Sequence, residues 1–333
     1  MKILFRTSGG QARKKQLGFG HIYRCINLAS HFKKNSLYFL IEDYGKVKKT
    51  LNRSGYTEVY LLRNNIKTSS DIHKTLQLVA KKRIDIVIVD KYHIKISYLK
   101  AVNKVARVVV VSDLLKKDYP ADLLVNGFIG FKNKVFKNKY NTRCLLGPKY
   151  QILSKKCLKV KSKKGNFILV TFGGFDEHHV VELFLESVLD YLAKTRLKVI
   201  LGPGTKKSKK IKLFEKKYGK RLTIVQKTEN MCKEIAAAKF GIISGGITSY
   251  EFAKMKVPFA IICQYRHQFI TANHWQKKGI ATNLGLPNKN LPKKIRDLVR
   301  KIINEKFNNI PKRKFLLDGK GGKRISNEII KLK

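Results

Sequence analysis

A histidine directly follows two closely spaced glycines near the start of the chain, in the run Gly18-Phe19-Gly20-His21. Glycines at the start of a helix let backbone N–H groups approach an anion, and the helix dipole favours negative charge there. An imidazole beside that anion could take up a proton near neutral pH, as a general base must. The run indicates either a catalytic histidine or a histidine that only caps the helix or lies on the surface.

Two more glycine loops follow apolar runs in the second half of the chain. Gly173 and Gly174 suit either the approach of a phosphate or only a tight turn. A second small-residue segment contains Ser244, Gly245, Gly246, Ile247, Thr248 and Ser249. Its amides and hydroxyls could hold a diphosphate while Glu251 accepts both hydroxyls of a ribose. The alternative is a capping box formed by Thr248 and Glu251.

Two polar residues, His267 and Gln268, come soon after a further apolar run. By themselves they would be an ordinary polar loop. Motifs that would define other chemistries are absent from the sequence: there is no G-x-G-x-x-G fingerprint, no P-loop and no G-x-S-x-G elbow. His178 and His179 are adjacent and point to different sides of a helix, so they do not chelate together easily. We expect no metal site and no cofactor.

Short β-branched runs alternate with helical patterns, which predicts an α/β fold built on parallel sheets. In the first half we predict strands at 2–6, 37–41, 59–62, 84–89, 107–111 and 123–125, with helices at 22–33, 47–54 and 70–82. In the second half we predict strands at 167–172, 198–201, 222–225, 240–243 and 259–262, with helices at 180–192, 208–218, 231–238 and 249–255. Both series predict doubly wound, Rossmann-like domains.

We place the domain boundary in the basic segment between the two series. The predicted domains are residues 1–155, with the histidine and the sugar pocket, and residues 164–333, which bind the nucleotide. The C-terminal helix is free to cross back to the first domain. Two such domains are expected to face each other across a cleft, and ligands bind at the carboxyl ends of the strands.

The chain has 333 residues with 72 Lys plus Arg against 22 Asp plus Glu, a formal charge of +50. The positive charge is spread along the chain, which favours a general lysine bias over a nucleic-acid groove, although weak attraction to membranes or nucleic acids is expected. No apolar run is long enough for a membrane span, so we expect a cytoplasmic monomer. The five cysteines lack a C-x-x-C spacing and are expected to be reduced thiols.

The ordered set of segments resembles a known family. The segments are LFRTSGG, GFGHIYR, VDKYHI, VSDLL with ADLLVN, LLGPKYQIL, ILVTFGGFD, ISGGITSYE, HQFITAN and LLDGKGGKRI. They resemble the UDP-2,4-diacetamido-2,4,6-trideoxy-β-L-altropyranose hydrolases of pseudaminic acid biosynthesis and the related spore-coat-type polysaccharide biosynthesis proteins. The resemblance implies the two-domain glycosyltransferase B fold and release of UDP from an activated amino sugar by water, with inversion and without a required metal.

The resemblance also implies roles for individual residues. His21 matches the proposed general base, and Tyr92 and His267 are expected beside the reacting sugar. The remaining matched positions are expected to bind substrate: Arg6, Gly18, Gly20, Arg24, Asp113, Gly173, Gly174, Ser244, Gly245, Gly246, Ile247, Thr248, Ser249, Glu251 and Gln268. The expected partner is a UDP-sugar.

Several positions depart from the family pattern. Lys91 and His93 flank Tyr92 where the family has histidine and glycine, and His267 replaces an asparagine. An additional loop brings three cations, Arg13, Lys14 and Lys15. These changes put the identity of the sugar in question more than the reaction. A glycosyltransferase of the same fold is the main alternative, and a nucleic-acid-binding protein that exploits the positive charge is a third hypothesis.

Overall fold

The protein is described by a computed structural model over residues 1–10, 18–32, 34–113, 115–161, 165–192, 195–304 and 317–333. These residues form two compact units, one of residues 1–155 with 318–333 and one of residues 156–317. The chain therefore ends in the unit in which it begins. The loop cations Arg13, Lys14 and Lys15 lie outside the described residues.

The first unit is built on a sheet of eight strands. They are β1 (Lys2–Gly10), β2 (Ser36–Tyr44), β3 (Val59–Leu62), β4 (Ile86–Asp90), β5 (Arg107–Val111), β6 (Leu123–Asn126), β7 (Lys134–Lys137) and β8 (Arg143–Leu146). Their order is β3-β2-β1-β4-β5-β6-β8-β7, with β7 antiparallel to β8 and the other pairs parallel. The chain proceeds from β1 to one side and then from β4 to the other, so the switch point lies between these two strands.

Helices cover both faces of this sheet, and this is why its strands read as continuous apolar runs. The helices are α1 (Gly20–Ala29), α2 (Val47–Arg53), α3 (Thr68–Lys82), α4 (Ile96–Val102) and the terminal α12 (Gly321–Ile330). Phe5 of β1 packs in a core with α1, α2 and α12, while its neighbour Leu4 packs in a second core with α3 and α4. The alternation of side chains along a strand thus supplies two separate cores.

The second unit has a sheet of six parallel strands. They are β9 (Phe167–Thr171), β10 (Arg196–Ile200), β11 (Leu222–Val225), β12 (Phe240–Ile243), β13 (Phe259–Ile262) and β14 (Ala281–Gly285), in the order β11-β10-β9-β12-β13-β14. Its helices are α5 (Lys156–Lys159), α6 (Val180–Val188), α7 (Lys209–Tyr218), α8 (Met231–Ala236), α9 (Ile247–Met255), α10 (Arg266–Lys277) and α11 (Leu291–Ile303). The switch point lies between β9 and β12.

The predicted fold class is confirmed in both units, and five predicted strands have the observed bounds: β3, β5, β11, β12 and β13. Other elements differ in extent. β1 continues to Gly10 because the four residues after Arg6 still pair with β2, up to the pair of Gly10 with Tyr44. α6 ends at Val188 and passes into a 3-10 turn, so it is shorter than predicted. Seven elements were not predicted: α4, α5, α10, α11, β7, β8 and β14; the polar segment of His267 and Gln268, read as a loop, lies in α10.

Candidate active site

The carboxyl end of β1 and the start of α1 are held close together in the first unit. The N–H of Gly10 donates to the carbonyl of Gly18 at 3.3 Å. A Cβ on Gly9 would lie 2.7 Å from Cγ1 of Ile22, so only glycine allows the helix to approach the strand this closely. Gly20 begins α1 and His21 follows it. The imidazole is therefore placed at the switch point of the sheet, beside the end of β4.

His21 is hydrogen-bonded to a carboxylate from that neighbouring strand. Its Nδ1 lies 2.6 Å from Oδ1 of Asp90, the last residue of β4. Asp90 is 1% exposed. Burial by itself would raise the pKa of Asp90, but the charges of Arg24 and His21 and the hydrogen bonds from both hold it well below its usual range. Asp90 is consequently an ionised, buried acceptor.

This arrangement determines which nitrogen of His21 carries the proton. An ionised carboxylate can only accept hydrogen bonds, so Nδ1 must be the donor to Asp90. Nη2 of Arg24 lies 3.0 Å from the same Nδ1, but it donates to Oδ1 of Asp90 at 2.6 Å. In the neutral ring Nε2 is then unprotonated and can accept a proton. The side chain of His21 is 17% exposed, so it is not sealed in the core.

Arg24 joins two carboxylates. Its Nε donates to Oδ2 of Asp90 at 2.7 Å and its Nη2 to Oδ2 of Asp113 at 3.0 Å, while Nη1 donates to Oδ1 of Asp113. Arg24 is buried, whereas half of the Asp113 side chain is exposed. The guanidinium that was predicted to bind substrate is thus used to hold Asp90 in place. We call His21, Arg24, Asp90 and Asp113 the histidine cluster.

The substrate contact predicted for Arg6 is corrected by the structure. Arg6 lies in the middle of β1 with 0% exposure. Its Nε and Nη2 donate to the two carboxylate oxygens of Asp71 at 2.8 and 2.7 Å. Lys91 also donates to Asp71 at 2.8 Å, and Glu42 lies 3.6 Å from both cations. Because these charges balance inside the unit, Arg6 has a structural position; we call Arg6, Glu42, Asp71 and Lys91 the lysine cluster.

Tyr92 follows Asp90 and Lys91 in the loop after β4 and is 41% exposed. Its ring meets that of His93 edge to face at 4.5 Å between centroids. No described contact joins Tyr92 to the histidine cluster, so its catalytic role stays a prediction.

Glycine loops meet at the switch point of the second unit. Gly173 has a φ of +81°, and a Cβ built on it would lie 3.5 Å from Oγ of Ser244. A Cβ on Gly245 would lie 2.9 Å from the carbonyl oxygen of Gln268, which shows how closely the loop after β12 approaches α10. Gln268 accepts a hydrogen bond from the N–H of Gln264 at 2.9 Å. The structure therefore brings Gly173, Ser244, Gly245 and Gln268 together, with Gly174 next in the chain.

The segment that opens α9 is arranged for backbone donation. Gly246 precedes the helix, Ile247 and Thr248 form its first turn, and no side chain caps it. The capping box proposed for Thr248 and Glu251 is therefore wrong. Ser249 also departs from its prediction, because it is fully buried and its Oγ donates to the carbonyl of Gly246 at 2.7 Å and accepts from Trp275 at 3.0 Å. That hydroxyl is used inside the protein.

Glu251 is a half-buried carboxyl group, one turn into α9. Burial raises its pKa to about 7. Among the described residues no hydrogen bond or ion pair joins its carboxylate, one oxygen of which lies within 4.8 Å of the sulfurs of Cys157 and Cys232. Its contact with ribose hydroxyls stays a prediction.

Two cysteines beside Glu251 correct the prediction that all cysteines are reduced. Cys157 of α5 and Cys232 of α8 form a disulfide with Cα atoms 5.2 Å apart, within the range of such bonds. Their separation of 75 residues leaves no local spacing that could reveal the pair. The donor atoms of Cys157, Cys232 and Glu251 lie within 4.8 Å of one another. With the sulfurs joined, this group offers a metal ion only one carboxylate and does not fit a zinc centre.

His267 lies in the first turn of α10 and stacks on Tyr265, with the ring centroids 5.6 Å apart. The hydroxyl of Tyr265 donates to Glu177 at 2.9 Å. These contacts position the imidazole at the carboxyl end of the sheet in the second unit. Its catalytic role stays a prediction.

Asp90 is the residue of the candidate site that reasoning from the sequence does not assign, although it lies in the matching segment VDKYHI. The available signal was positional. Asp90 ends a buried strand, and the strands of an open sheet place the residues that follow them beside the switch point. The pairing of β4 with β1 was needed to show that it meets His21.

The two doubly wound units define the glycosyltransferase B fold, and comparison with solved structures agrees. The chain matches Acinetobacter baumannii MurG with a TM-score of 0.65 and 13% identity, covering 99% of this chain and 100% of that one. It matches Neisseria meningitidis UDP-GlcNAc 2-epimerase bound to UDP-GlcNAc with a TM-score of 0.66 and 11% identity, covering 99% and 100%. The spinosyn rhamnosyltransferase SpnG complexed with thymidine diphosphate has a TM-score of 0.61 and 10% identity, covering 99% and 96%.

Sequence comparison finds distant relatives. An uncharacterized protein of Methanocaldococcus jannaschii is 27% identical over 302 residues, which cover 85% of this chain and 60% of that protein. The spore coat polysaccharide biosynthesis protein SpsG of Bacillus subtilis is 25% identical, covering 81% and 80%. The UDP-2,4-diacetamido-2,4,6-trideoxy-β-L-altropyranose hydrolase of Campylobacter jejuni is 25% identical, covering 84% and 97%. No family model matches the chain.

Proposed function

We propose that this protein hydrolyses a UDP-activated diacetamido-trideoxyhexose and releases UDP and the free amino sugar for nonulosonic acid biosynthesis. The observation that carries the proposal is the hydrogen bond of 2.6 Å between Nδ1 of His21 and Asp90, which leaves Nε2 as an acceptor. The relative from C. jejuni, similar over most of both chains, supports the choice of substrate class.

In the proposed reaction His21 is the general base. A water oxygen attacks the anomeric carbon, its proton passes to Nε2 of His21, and the bond between that carbon and UDP breaks with its electron pair leaving on the diphosphate. Attack on the face opposite UDP inverts the anomeric centre. Base removal at such a step commonly costs about 10² or more in rate.

Asp90 is a positioning residue in this scheme, since it acts through His21. It holds the ring in one tautomer and stabilises the imidazolium that forms when Nε2 takes the proton. With neutral His21 the histidine cluster has one cation and two carboxylates, so an added proton neutralises it. Arg24 keeps Asp90 ionised and oriented.

We assign nucleotide binding to the second unit. The amides around Gly173, Gly174, Gly245 and Gly246 would stabilise the negative charge that develops on the diphosphate. This stabilisation would be sufficient because UDP is already a good leaving group. Glu251 would accept hydrogen bonds from the ribose hydroxyls, since no described residue forms an ion pair or hydrogen bond with its carboxylate. Glu251→Ala should weaken UDP binding, whereas His21→Ala should leave it nearly unchanged; an unchanged dissociation constant in Glu251→Ala would remove that assignment.

A glycosyltransferase is the second candidate, favoured by the rhamnosyltransferase among the structures that share this fold. In it the hydroxyl of an acceptor sugar replaces water and loses its proton to His21. Incubation of the purified protein with UDP-activated diacetamido-trideoxyhexoses, followed by anomer-resolved NMR, separates the two. UDP and an inverted free sugar formed without any acceptor support hydrolysis. Turnover that requires an added acceptor would establish transfer instead.

A further inference from the structure

The exposed side of α7 carries a dense group of lysines. Residues 206–221 contain nine cations and one acid, a net charge of +8, whereas sixteen residues of this chain's average composition would carry only about +2. The helix packs on the sheet through Ile211, which is 2% exposed, and through Phe214. Its other side presents Lys209, Lys210, Lys212, Lys216 and Lys217 to solvent. The lysines therefore form one continuous face, which we call the α7 face.

Few of these charges are neutralised within the described residues. Lys210 pairs with Glu186, and Glu215 pairs with Lys207. Lys209, Lys212 and Lys216 have no ion pair with any carboxylate in the described part of the chain. Lys212 and Lys216 are four residues apart, a spacing at which like charges destabilise a helix. The helix dipole favours Lys216 and Lys217 in the last turn but not Lys209 and Lys212 near the start, so the face as a whole is suited to an external anion.

An exposed leucine stands in the middle of these lysines. Leu213 is 66% exposed, more than any other exposed large hydrophobic side chain among the described residues. It lies one turn from Lys209 on one side and from Lys216 and Lys217 on the other. A cationic helical face with an apolar centre matches the boundary between lipid headgroups and acyl chains. The backbone of a nucleic acid would satisfy the lysines but would leave the leucine without an apolar partner.

We propose that the α7 face docks the protein on an anionic membrane surface. The lysines meet the phosphates of acidic headgroups, at about 1 kcal/mol for each lysine near the surface, and Leu213 enters the interface between them. α7 connects β10 to β11, and β11 is the edge strand of its sheet, so the helix lies at the side of the unit. This surface is independent of the proposed hydrolysis, which takes place elsewhere in the chain.

Sedimentation with lipid vesicles tests the proposal. The full-length protein is mixed with vesicles of phosphatidylcholine alone or of phosphatidylcholine with phosphatidylglycerol, at low and at physiological ionic strength. We expect binding to the anionic vesicles only, and weaker binding as salt rises. The triple variant Lys209→Gln, Lys212→Gln, Lys216→Gln should bind roughly a hundredfold more weakly at low salt. Leu213→Gln should reduce binding several-fold without any change in charge.

A matched variant controls for the charge of the whole chain. Lys293→Gln, Lys294→Gln, Lys301→Gln removes three exposed lysines from α11 of the same unit and should change binding less than about threefold. Absence of binding by the wild type would overturn the proposal, as would an equal loss in the α11 variant. It is also overturned if a single-stranded oligonucleotide competes fully and Leu213→Gln binds vesicles like the wild type. If the α7 triple variant does not fold, Leu213→Gln and the salt series decide.

Discussion

Two clusters of charged residues lie near the switch point of the first unit. Both contain an arginine paired with a buried aspartate, but we assign them different roles. In the histidine cluster Arg24 clasps Asp90, and in the lysine cluster Arg6 clasps Asp71, each with two hydrogen bonds to one carboxylate. Both aspartates are almost fully buried. The geometry and burial of the ion pair therefore do not distinguish a candidate active site from a structural element.

The two clusters differ in whether their charges balance and whether a titratable atom is left without a partner. The lysine cluster is balanced, with two cations and two carboxylates, and the side chain of Lys91 is only 14% exposed. The histidine cluster includes an imidazole whose Nε2 has no partner among the described residues, and it includes Asp113, whose side chain is half exposed. A buried charge network stabilises the fold when every donor is satisfied, and it becomes a candidate for catalysis when one titratable atom is left open to a ligand.

We expect the largest effect on turnover from substitution of His21. His21→Ala should lower turnover by about 10² or more, because the remaining carboxylates of the cluster, Asp90 and Asp113, are paired with Arg24, which lowers their pKa and makes them weaker bases. Thermal stability should stay close to that of the wild type, and so should UDP affinity measured by calorimetry. Retention of more than about a tenth of the wild-type rate would show that another base acts.

The next effect concerns the link between Asp90 and His21. Asp90→Asn should reduce turnover at least about tenfold, because an amide can donate to Nδ1 and so place the ring proton on Nε2. The readout that isolates this role is the ¹⁵N NMR spectrum of the imidazole, which reports the tautomer directly. Asp90→Glu keeps an acceptor-only group and should restore part of the activity. An unchanged tautomer together with lost activity would limit Asp90 to a structural role.

The matching substitution in the lysine cluster should act on stability alone. Asp71→Asn breaks a buried pair with Arg6 and removes a partner of Lys91, which should cost about 3 kcal/mol in the free energy of unfolding. Chemical denaturation measures this loss, and turnover per folded molecule should stay within about twofold of the wild type. A fall in turnover comparable to that of Asp90→Asn would erase the functional distinction between the clusters.

The elements that the sequence predicts well are those whose signal is local. Continuous apolar runs between helical patterns identified the strands on each side of both switch points, since burial on both faces requires apolar residues throughout. α4, β7 and β8 are short and carry a mixed pattern, with β7 at an exposed edge, so their periodicity is weak. The return of α12 to the first unit depends on contacts with α1, distant in sequence, which no local pattern contains.

The candidate site also has some features that a local sequence pattern predicts and others that depend on tertiary contacts. The glycines that precede His21 and Glu251 can be recognised as motifs, because close approach of the backbone at the start of a helix requires glycine. Arg6, Arg24 and Ser249 were assigned to substrate because their side chains are polar and lie in matching segments. Their partners, Asp71, Asp90 and Trp275, come from other strands and helices, and only the tertiary structure shows that these polar groups are already satisfied.

A smaller effect is expected when the lysine cluster is titrated. Burial raises the pKa of Asp71, but the hydrogen bond and charge of Arg6 and the charge of Lys91 outweigh it, so the pKa lies below the ordinary value of 3.8. A depressed folded pKa gives stability that is present above the unfolded pKa and is lost as pH falls through the folded one. The difference in unfolding free energy between wild type and Asp71→Asn should therefore shrink below about pH 4. A difference in unfolding free energy that stays constant down to pH 2 would mean that the ion pair of Asp71 contributes little to stability. The pH range of this test follows from the ordinary aspartate pKa of 3.8.

The smallest effect separates the two cations of the lysine cluster. Lys91→Met keeps most of the unbranched side chain and removes its charge, while Asp71 retains both hydrogen bonds from Arg6. Glu42 retains the hydroxyl of Tyr44 as a donor at 2.6 Å, so no carboxylate is left without a partner. The expected cost is about 1 kcal/mol, measured by denaturation beside Asp71→Asn. Because Lys91 stands between Asp90 and Tyr92, turnover should be recorded in the same variant. A loss of turnover at unchanged stability would show that Lys91 contributes to catalysis together with the histidine cluster. The two clusters would then form one site.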